Sequence, residues 1–128
     1  MSGRPGLDAR GLPSGYPYKP DLEVTPRQVK AALEAGGAVL VDCRTIEEWR
    51  TARIEGATLV PLADLAGRVG DIEGLLSESS SEVIVHCHHG ARSLKAALFL
   101  RQQGIAARSM AGGIDLWSMD IDPAVPRY

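Results

Sequence analysis

The chain has 128 residues, the size of one domain, with 45% apolar and 23% charged residues and a formal net charge of -2. This composition excludes a disordered chain and provides no basic surface for nucleic acid or an anionic membrane. No apolar run approaches the roughly 20 residues that span a bilayer, and Met1 to Pro20, rich in Gly and Pro without an apolar stretch, does not read as a secretory signal.

The first 20 residues are expected to form an extended, largely unstructured lead-in, because Gly11, Pro13, Gly15, Pro17 and Pro20 oppose regular structure. Residues 21–128 are then read as one domain. Leu22 to Val24 is a short strand candidate. Thr25-Pro26-Arg27-Gln28 opens a helix: Thr25 caps, Pro26 takes the first helical position and Gln28 completes a capping box. Val29, Ala32 and Leu33 give that helix an apolar stripe, and Gly36-Gly37 ends it.

Ala38 to Asp42 is a continuous apolar run without period-two alternation, which predicts a parallel strand covered on both faces. Thr45-Ile46-Glu47-Glu48 is a second capping box, opening a short helix that includes Trp49. Ala57 to Val60 is another strand candidate, stopped by Pro61. Leu62 to Leu76 reads as helix in pieces, interrupted at Gly67, Gly70 and Gly74, and is followed by a serine loop. Glu82 to His86 repeats the buried-strand pattern. Ala91 to Gln103 is the clearest helix, with Gly104 beyond its end. Ala106 to Met110 and Ile114 to Met119 read as a last strand and a terminal helix. Strands alternating with helices across Gly-rich joints imply a layered α/β domain.

The stretch His86-Cys87-His88-His89-Gly90-Ala91-Arg92-Ser93 joins the second buried strand to the clearest helix. Ligands of open α/β sheets bind beyond the carboxyl ends of strands, so this loop is the candidate site. Its backbone N–H groups can converge as an anion-binding nest, reinforced by the positive end of the following helix. Gly90 permits a left-handed turn, and Arg92 adds a permanent charge. Each feature favours a thiolate, so Cys87 is expected to ionise below the free-thiol value of about 8.5. The alternative is an inert, buried strand-end cysteine.

The same residues resemble the active-site loop of rhodanese domains, Cys-x-x-Gly-x-Arg. Three further segments are similar to that family's signatures. Val39 to Arg44 followed by Glu47-Glu48-Trp49 resembles a strand ending Asp-x-Arg with a Glu-aromatic pair after it. Arg53-Ile54-Glu55-Gly56-Ala57 resembles Gly-His-Ile-Pro-Gly-Ala, with Ala52-Arg53 and Glu55 as departures. Ala111 to Trp117 resembles Gly-Gly-x-x-x-Trp. The four occur in order, and the resemblance runs from about Leu22 to Trp117.

The resemblance implies a rhodanese-like three-layer α/β fold, a five-stranded parallel sheet with helices on both faces. It implies a sulfurtransferase: Cys87 takes the sulfane sulfur of a donor such as thiosulfate, holds it as a persulfide, and passes it to a thiophilic acceptor such as cyanide or a thiol. This is covalent catalysis of ping-pong type. Cys87 is the expected nucleophile; His88, His89, Gly90, Ala91, Arg92 and Arg44 are the expected substrate-binding residues. No metal or organic cofactor is called for. The implied partners are a small-molecule sulfur donor and acceptor, with a protein thiol as a further acceptor, and neither nucleic acid nor membrane.

Three other readings stand beside this one. Cysteine-dependent phosphatases place five residues between cysteine and arginine; here four separate Cys87 from Arg92, and Ser93 occupies the phosphatase arginine's position. A metal site at His86 to His89 is disfavoured, because adjacent strand residues point to opposite faces. A non-enzymatic rhodanese-like module is disfavoured by the presence of Cys87 and Arg92. Among the remaining residues, Asp42 and Arg44 read first as a structural ion pair, with attraction of an anionic substrate as Arg44's second role. Cys43 reads as a packed thiol; a disulfide with Cys87 requires Cα atoms within about 7 Å. The two cysteines are too few for a disulfide framework and suit a reducing, cytoplasmic setting.

Overall fold

The computed structural model describes residues 6–128. In chain order the elements are β1 (Glu23–Val24), α1 (Pro26–Glu34), β2 (Ala38–Asp42), α2 (Ile46–Thr51), β3 (Thr58–Leu59), a 3-10 helix (Leu62–Arg68), α3 (Val69–Glu73), β4 (Glu82–His86), α4 (Ala91–Gln102), β5 (Ala107–Met110) and α5 (Gly113–Asp120). Both expected capping boxes form. Thr25 Oγ1 accepts from Gln28 N and Thr45 Oγ1 from Glu48 N, while each glutamine or glutamate side chain returns to the cap's own amide. The segment from Leu62 to Leu76 is helical in pieces, but the break falls between Arg68 and Val69: Gly67 lies within the 3-10 helix and Gly70 within α3, and only Gly74 stands at a helix end.

The five strands form one sheet in the order β1-β5-β4-β2-β3, and every pairing is parallel. The chain runs outward from β2 to β3, then returns to β4 and runs the other way to β5. The β2–β4 junction is therefore where the winding reverses, the place in such sheets where ligand sites form.

The sheet is covered on both faces. Val41, Cys43, Val83, Val85 and Cys87 pack with Leu65 and Ile72 and with Ala96, Ala97 and Leu100 of α4. Leu40, Ile84 and Met110 face the opposite side and pack with Val29 of α1 and with Ile114 and Trp117 of α5. Two apolar layers explain why β2 and β4 are apolar at successive positions rather than at alternate ones. This is the expected three-layer architecture.

The N-terminal expectation needs correction. Residues 1–5 lie outside the described residues. Residues 6–20 contain no helix or strand beyond one isolated bridge between Leu7 and Pro13, in keeping with their glycines and prolines. They are nevertheless not a loose lead-in. Leu12 is fully buried against Ala111 and Leu116, with Leu7, Tyr16 and Tyr18 packed around them. The Tyr16 hydroxyl donates to Glu23 Oε2 at 2.6 Å and accepts from Gly112 N at 3.2 Å. The segment's few apolar side chains cover a surface that α5 would otherwise leave open, and burial outweighs the lack of regular structure.

Candidate active site

Cys87 directly follows β4, and three residues later Gly90 turns the chain into α4 with φ of 115°. Only glycine adopts that conformation without strain. A side chain there would also meet Tyr16 Oη and Gly112 N, each at 3.5 Å. The turn bends the start of α4 back over the Cys87 sulfur. Gly90 N donates to Sγ at 3.1 Å and Ser93 N at 3.3 Å, while Ser93 Oγ lies 3.3 Å from it. Ser93 Oγ is also 2.7 Å from Ser109 Oγ. Ser93 Oγ also lies 3.2 Å from Gly90 O, to which it can donate; a hydroxyl has one proton, and an ionised Cys87 sulfur is the stronger acceptor for it, with Ser109 then donating to Ser93.

The outer side of the loop is fixed by α5. Ile114 N donates to Cys87 O at 2.9 Å and Asp115 N to His88 O at 3.2 Å. With their carbonyls held outward, the loop residues are free to turn amides towards the sulfur. This close approach explains the Gly112-Gly113 pair. Both have positive φ, and a Cβ on Gly113 would collide with the carbonyls of His88 and Cys87.

These contacts bring the Cys87 thiol down to about 4. The largest influence is the neighbouring Cys43 thiol, placed to donate to Sγ; burial opposes it, and the Ser93 hydroxyl and the amides of Ser93 and Gly90 add to it. Cys43 moves the other way, well above the ordinary thiol range, because it shares its proton with Cys87 and is itself buried. Of the two, Cys87 is the one whose surroundings favour the thiolate and Cys43 the one whose surroundings favour the thiol. Both cysteines are free thiols and both are buried.

Arg92 stands at the rim of this loop. Its guanidinium grips the Glu48 carboxylate in a two-pronged pair, Nη1 to Oε1 at 2.6 Å and Nη2 to Oε2 at 2.9 Å. The pair holds the Glu48 carboxyl well below the usual range. Arg92 still feels the Cys87 charge, but through space and more weakly than its bond to Glu48. The thiolate is thus held chiefly by hydrogen bonds, from Cys43 on the neighbouring strand and from Ser93 and Gly90 of the loop, rather than by the charge of Arg92. His88 is half-buried, its ring stacked between His89 at 3.9 Å and Tyr128 at 4.1 Å; His89 is exposed and 3.7 Å from Asp115. Ala91 is exposed at the first position of α4.

Arg44, expected among the substrate-binding residues, does not reach the loop. It is fully buried, and its guanidinium binds Asp42 through Nε at 2.9 Å and Nη2 at 2.6 Å, Ala52 O at 2.7 Å and the Tyr128 hydroxyl at 2.8 Å. The physical reason is alternation along the strand. Cys43 shares the face of Val41, whereas Asp42 and Arg44 lie on the other, where the carboxylate and the end of α2 consume the donors. Arg44 is therefore the structural partner of Asp42. His86 lies on that same face, fully buried, with burial pushing its imidazole towards the neutral form and Asp42 opposing.

Ser93, Glu48, Tyr16 and Tyr128 belong to the site's surroundings but were not among the expected residues. Ser93 carried a readable signal: a hydroxyl in the first helical turn, where N–H groups have no intrahelical acceptor. Among the described residues one group could gather around a cation: His88, His89 and Asp115. It suits a metal poorly. The two imidazoles are stacked with their planes 24° apart, so their in-plane lone pairs run side by side rather than converging, and Asp115 is already paired with Arg127 at 2.9 Å.

The chain is similar in sequence and in fold to known proteins. The chain is similar to the adenylyltransferase and sulfurtransferase MOCS3-2 of Zea mays, 31% identical over 109 residues, which are 82% of this chain and 23% of that protein. It spans about a quarter of the length of the first such relatives, at 23%, 27% and 22%. It is 35% identical to the thiosulfate sulfurtransferase GlpE of Pseudomonas fluorescens, over 72% of this chain and 81% of that one. Among solved structures, the human single-domain sulfurtransferase TSTD1 superposes with a TM-score of 0.63 at 27% identity, covering 74% of this chain and 93% of that one. The model of the Rhodanese-like domain matches residues 25–120, from the cap of α1 to the end of α5, and the chain belongs to that family.

Proposed function

We propose that the protein is a sulfurtransferase that carries a sulfane sulfur as a persulfide on Cys87. The observation that carries this reading is the Cys87 sulfur receiving the amides of both Gly90 and Ser93 at the start of α4. The Cys87 thiolate attacks the outer sulfur of a donor such as thiosulfate. The donor's S–S bond breaks, sulfite leaves with the bonding pair, and Cys87 holds the outer sulfur. A thiophile, cyanide or a small or protein thiol, then attacks that sulfur and releases the Cys87 thiolate.

The loop suits both states. The amides of Ala91 and Arg92, in the first turn of α4, have no intrahelical acceptor and are available to an anionic donor or to the terminal sulfur of the persulfide. His88 and His89 border the loop's outer side, and Arg92 supplies positive potential at the rim. Cys87 is buried, which favours a donor presenting a small terminal sulfur over a bulky electrophile. Working thiols of this kind require a reducing compartment, so a cytoplasmic setting is part of the proposal. Among the described residues no helix is long and apolar enough to cross a membrane.

Exposure to thiosulfate should add one sulfur atom to the wild-type chain, mapped to Cys87 by peptide mass spectrometry. The Cys87→Ser variant should add none. Equal addition to both, or none to either with no sulfite released, would overturn the proposal.

A further inference from the structure

The reactive cysteine has a second thiol directly beside it. β2 and β4 pair in register, Val41 with Val85 and Asp42 with His86, and Cys43 N donates to His86 O at 3.0 Å. Cys43 and Cys87 are the next residues in that register, so their Cα atoms lie about 5 Å apart, the spacing of neighbouring strands. That is within the range a disulfide spans. Both side chains lie on the same face of the sheet, with Val41 and Val85, in one buried cluster. Gly90 and Ser93 reach the Cys87 sulfur from the loop, whereas Cys43 reaches it from the neighbouring strand.

We propose that Cys43 is a resolving thiol: once Cys87 carries a leaving group, Cys43 attacks the Cys87 sulfur and closes a Cys43–Cys87 disulfide. With a persulfide, a bond forms between the two cysteine sulfurs and the bond from Cys87 to its outer sulfur breaks. The outer sulfur keeps the bonding pair, takes the Cys43 proton and leaves as hydrosulfide. Both thiol sulfurs are oxidised to the disulfide and the sulfane sulfur is reduced to sulfide, so no external oxidant enters. A dithiol reductant then restores both thiols. Loading Cys87 also frees Cys43 to react. The negative charge moves from Cys87 to the outer sulfur, removing the acceptor that held the Cys43 proton.

The persulfide step rests on the function proposed above; a peroxide provides an independent route to the same disulfide. Peroxide oxidises the Cys87 thiolate to a sulfenic acid with release of hydroxide. Attack by Cys43 on that sulfur then expels water and forms the same disulfide.

The test uses the full chain and the Cys43→Ala and Cys43→Ser variants. After thiosulfate loading and removal of excess donor, wild type should release sulfide and yield a cross-linked pair of peptides containing Cys43 and Cys87. Both variants should retain the extra sulfur on Cys87 at least about tenfold longer. Equal retention in all three proteins, without a cross-link, would overturn the proposal. If no protein takes up sulfur, the proposed function fails, and the peroxide arm decides the role of Cys43. A cross-link formed with peroxide supports a resolving thiol; a persistent Cys87 sulfenic acid beside an alkylatable Cys43 refutes it.

Discussion

The carboxyl ends of β2 and β4 lie side by side and carry similar residues. One reads Asp42-Cys43-Arg44, the other His86-Cys87 with Arg92 soon after, yet they do opposite things. At the end of β2 the chain leaves through a short turn into α2, and the side chains satisfy one another: Arg44 is fully buried against Asp42, Ala52 and Tyr128. At the end of β4 a left-handed glycine folds the helix start over the cysteine, and backbone amides take the place of a counter-charge. Reactivity here follows from what converges on the sulfur: the Cys43 thiol, the Ser93 hydroxyl and the amides of Ser93 and Gly90 all favour the Cys87 thiolate.

The largest break in this comparison lies on the structural side. Asp42→Ala strands the Arg44 guanidinium in the core, and loss of one partner of a buried pair costs about 3–5 kcal/mol. A large fall in the thermal or urea midpoint is expected. Arg92→Ala, breaking a half-exposed pair with Glu48, should cost about 1 kcal/mol or less in the same measurement.

On the reactive side, Ser93→Ala removes the hydroxyl beside Sγ but keeps the amide. A hydrogen bond to a charged group contributes about 1.5–3 kcal/mol, so the midpoint of Cys87 alkylation should rise by about 1–2 pH units. The sign follows from the linkage: removing a donor to the thiolate favours the thiol and moves ionisation to higher pH. Arg92→Ala should move the midpoint upward by less than Ser93→Ala, since its charge acts through space while the hydroxyl bonds the sulfur. The reverse order would show that charge, rather than hydrogen bonding, holds the thiolate.

Much of the fold was legible because local rules and tertiary packing agree. The capping boxes at Thr25 and Thr45 and the uninterrupted apolar runs of β2 and β4 have local causes, and all formed as read. The turn at Gly90 was legible for the same reason, since a short joint between buried strand and helix requires a left-handed residue. What escaped depends on which strand lies beside which. The side of the sheet taken by Arg44, the pairing of Cys43 with Cys87, and the packing of Leu12 under α5 are set by register and by segments distant in sequence, which no local pattern encodes. Ser93 falls between the two. Its position in the first turn was readable, but its contact with Ser109 requires β5 to lie beside β4.

The most direct measurement is the rate of Cys87 alkylation against pH, with Cys43 followed in the same samples by peptide mass spectrometry. The predicted profile for Cys87 has its midpoint near 4 and stays flat through neutral pH, while Cys43 remains unlabelled across the same range. A Cys87 midpoint near the free-thiol value of about 8.5, or Cys43 labelled first, would contradict a thiolate held by the loop.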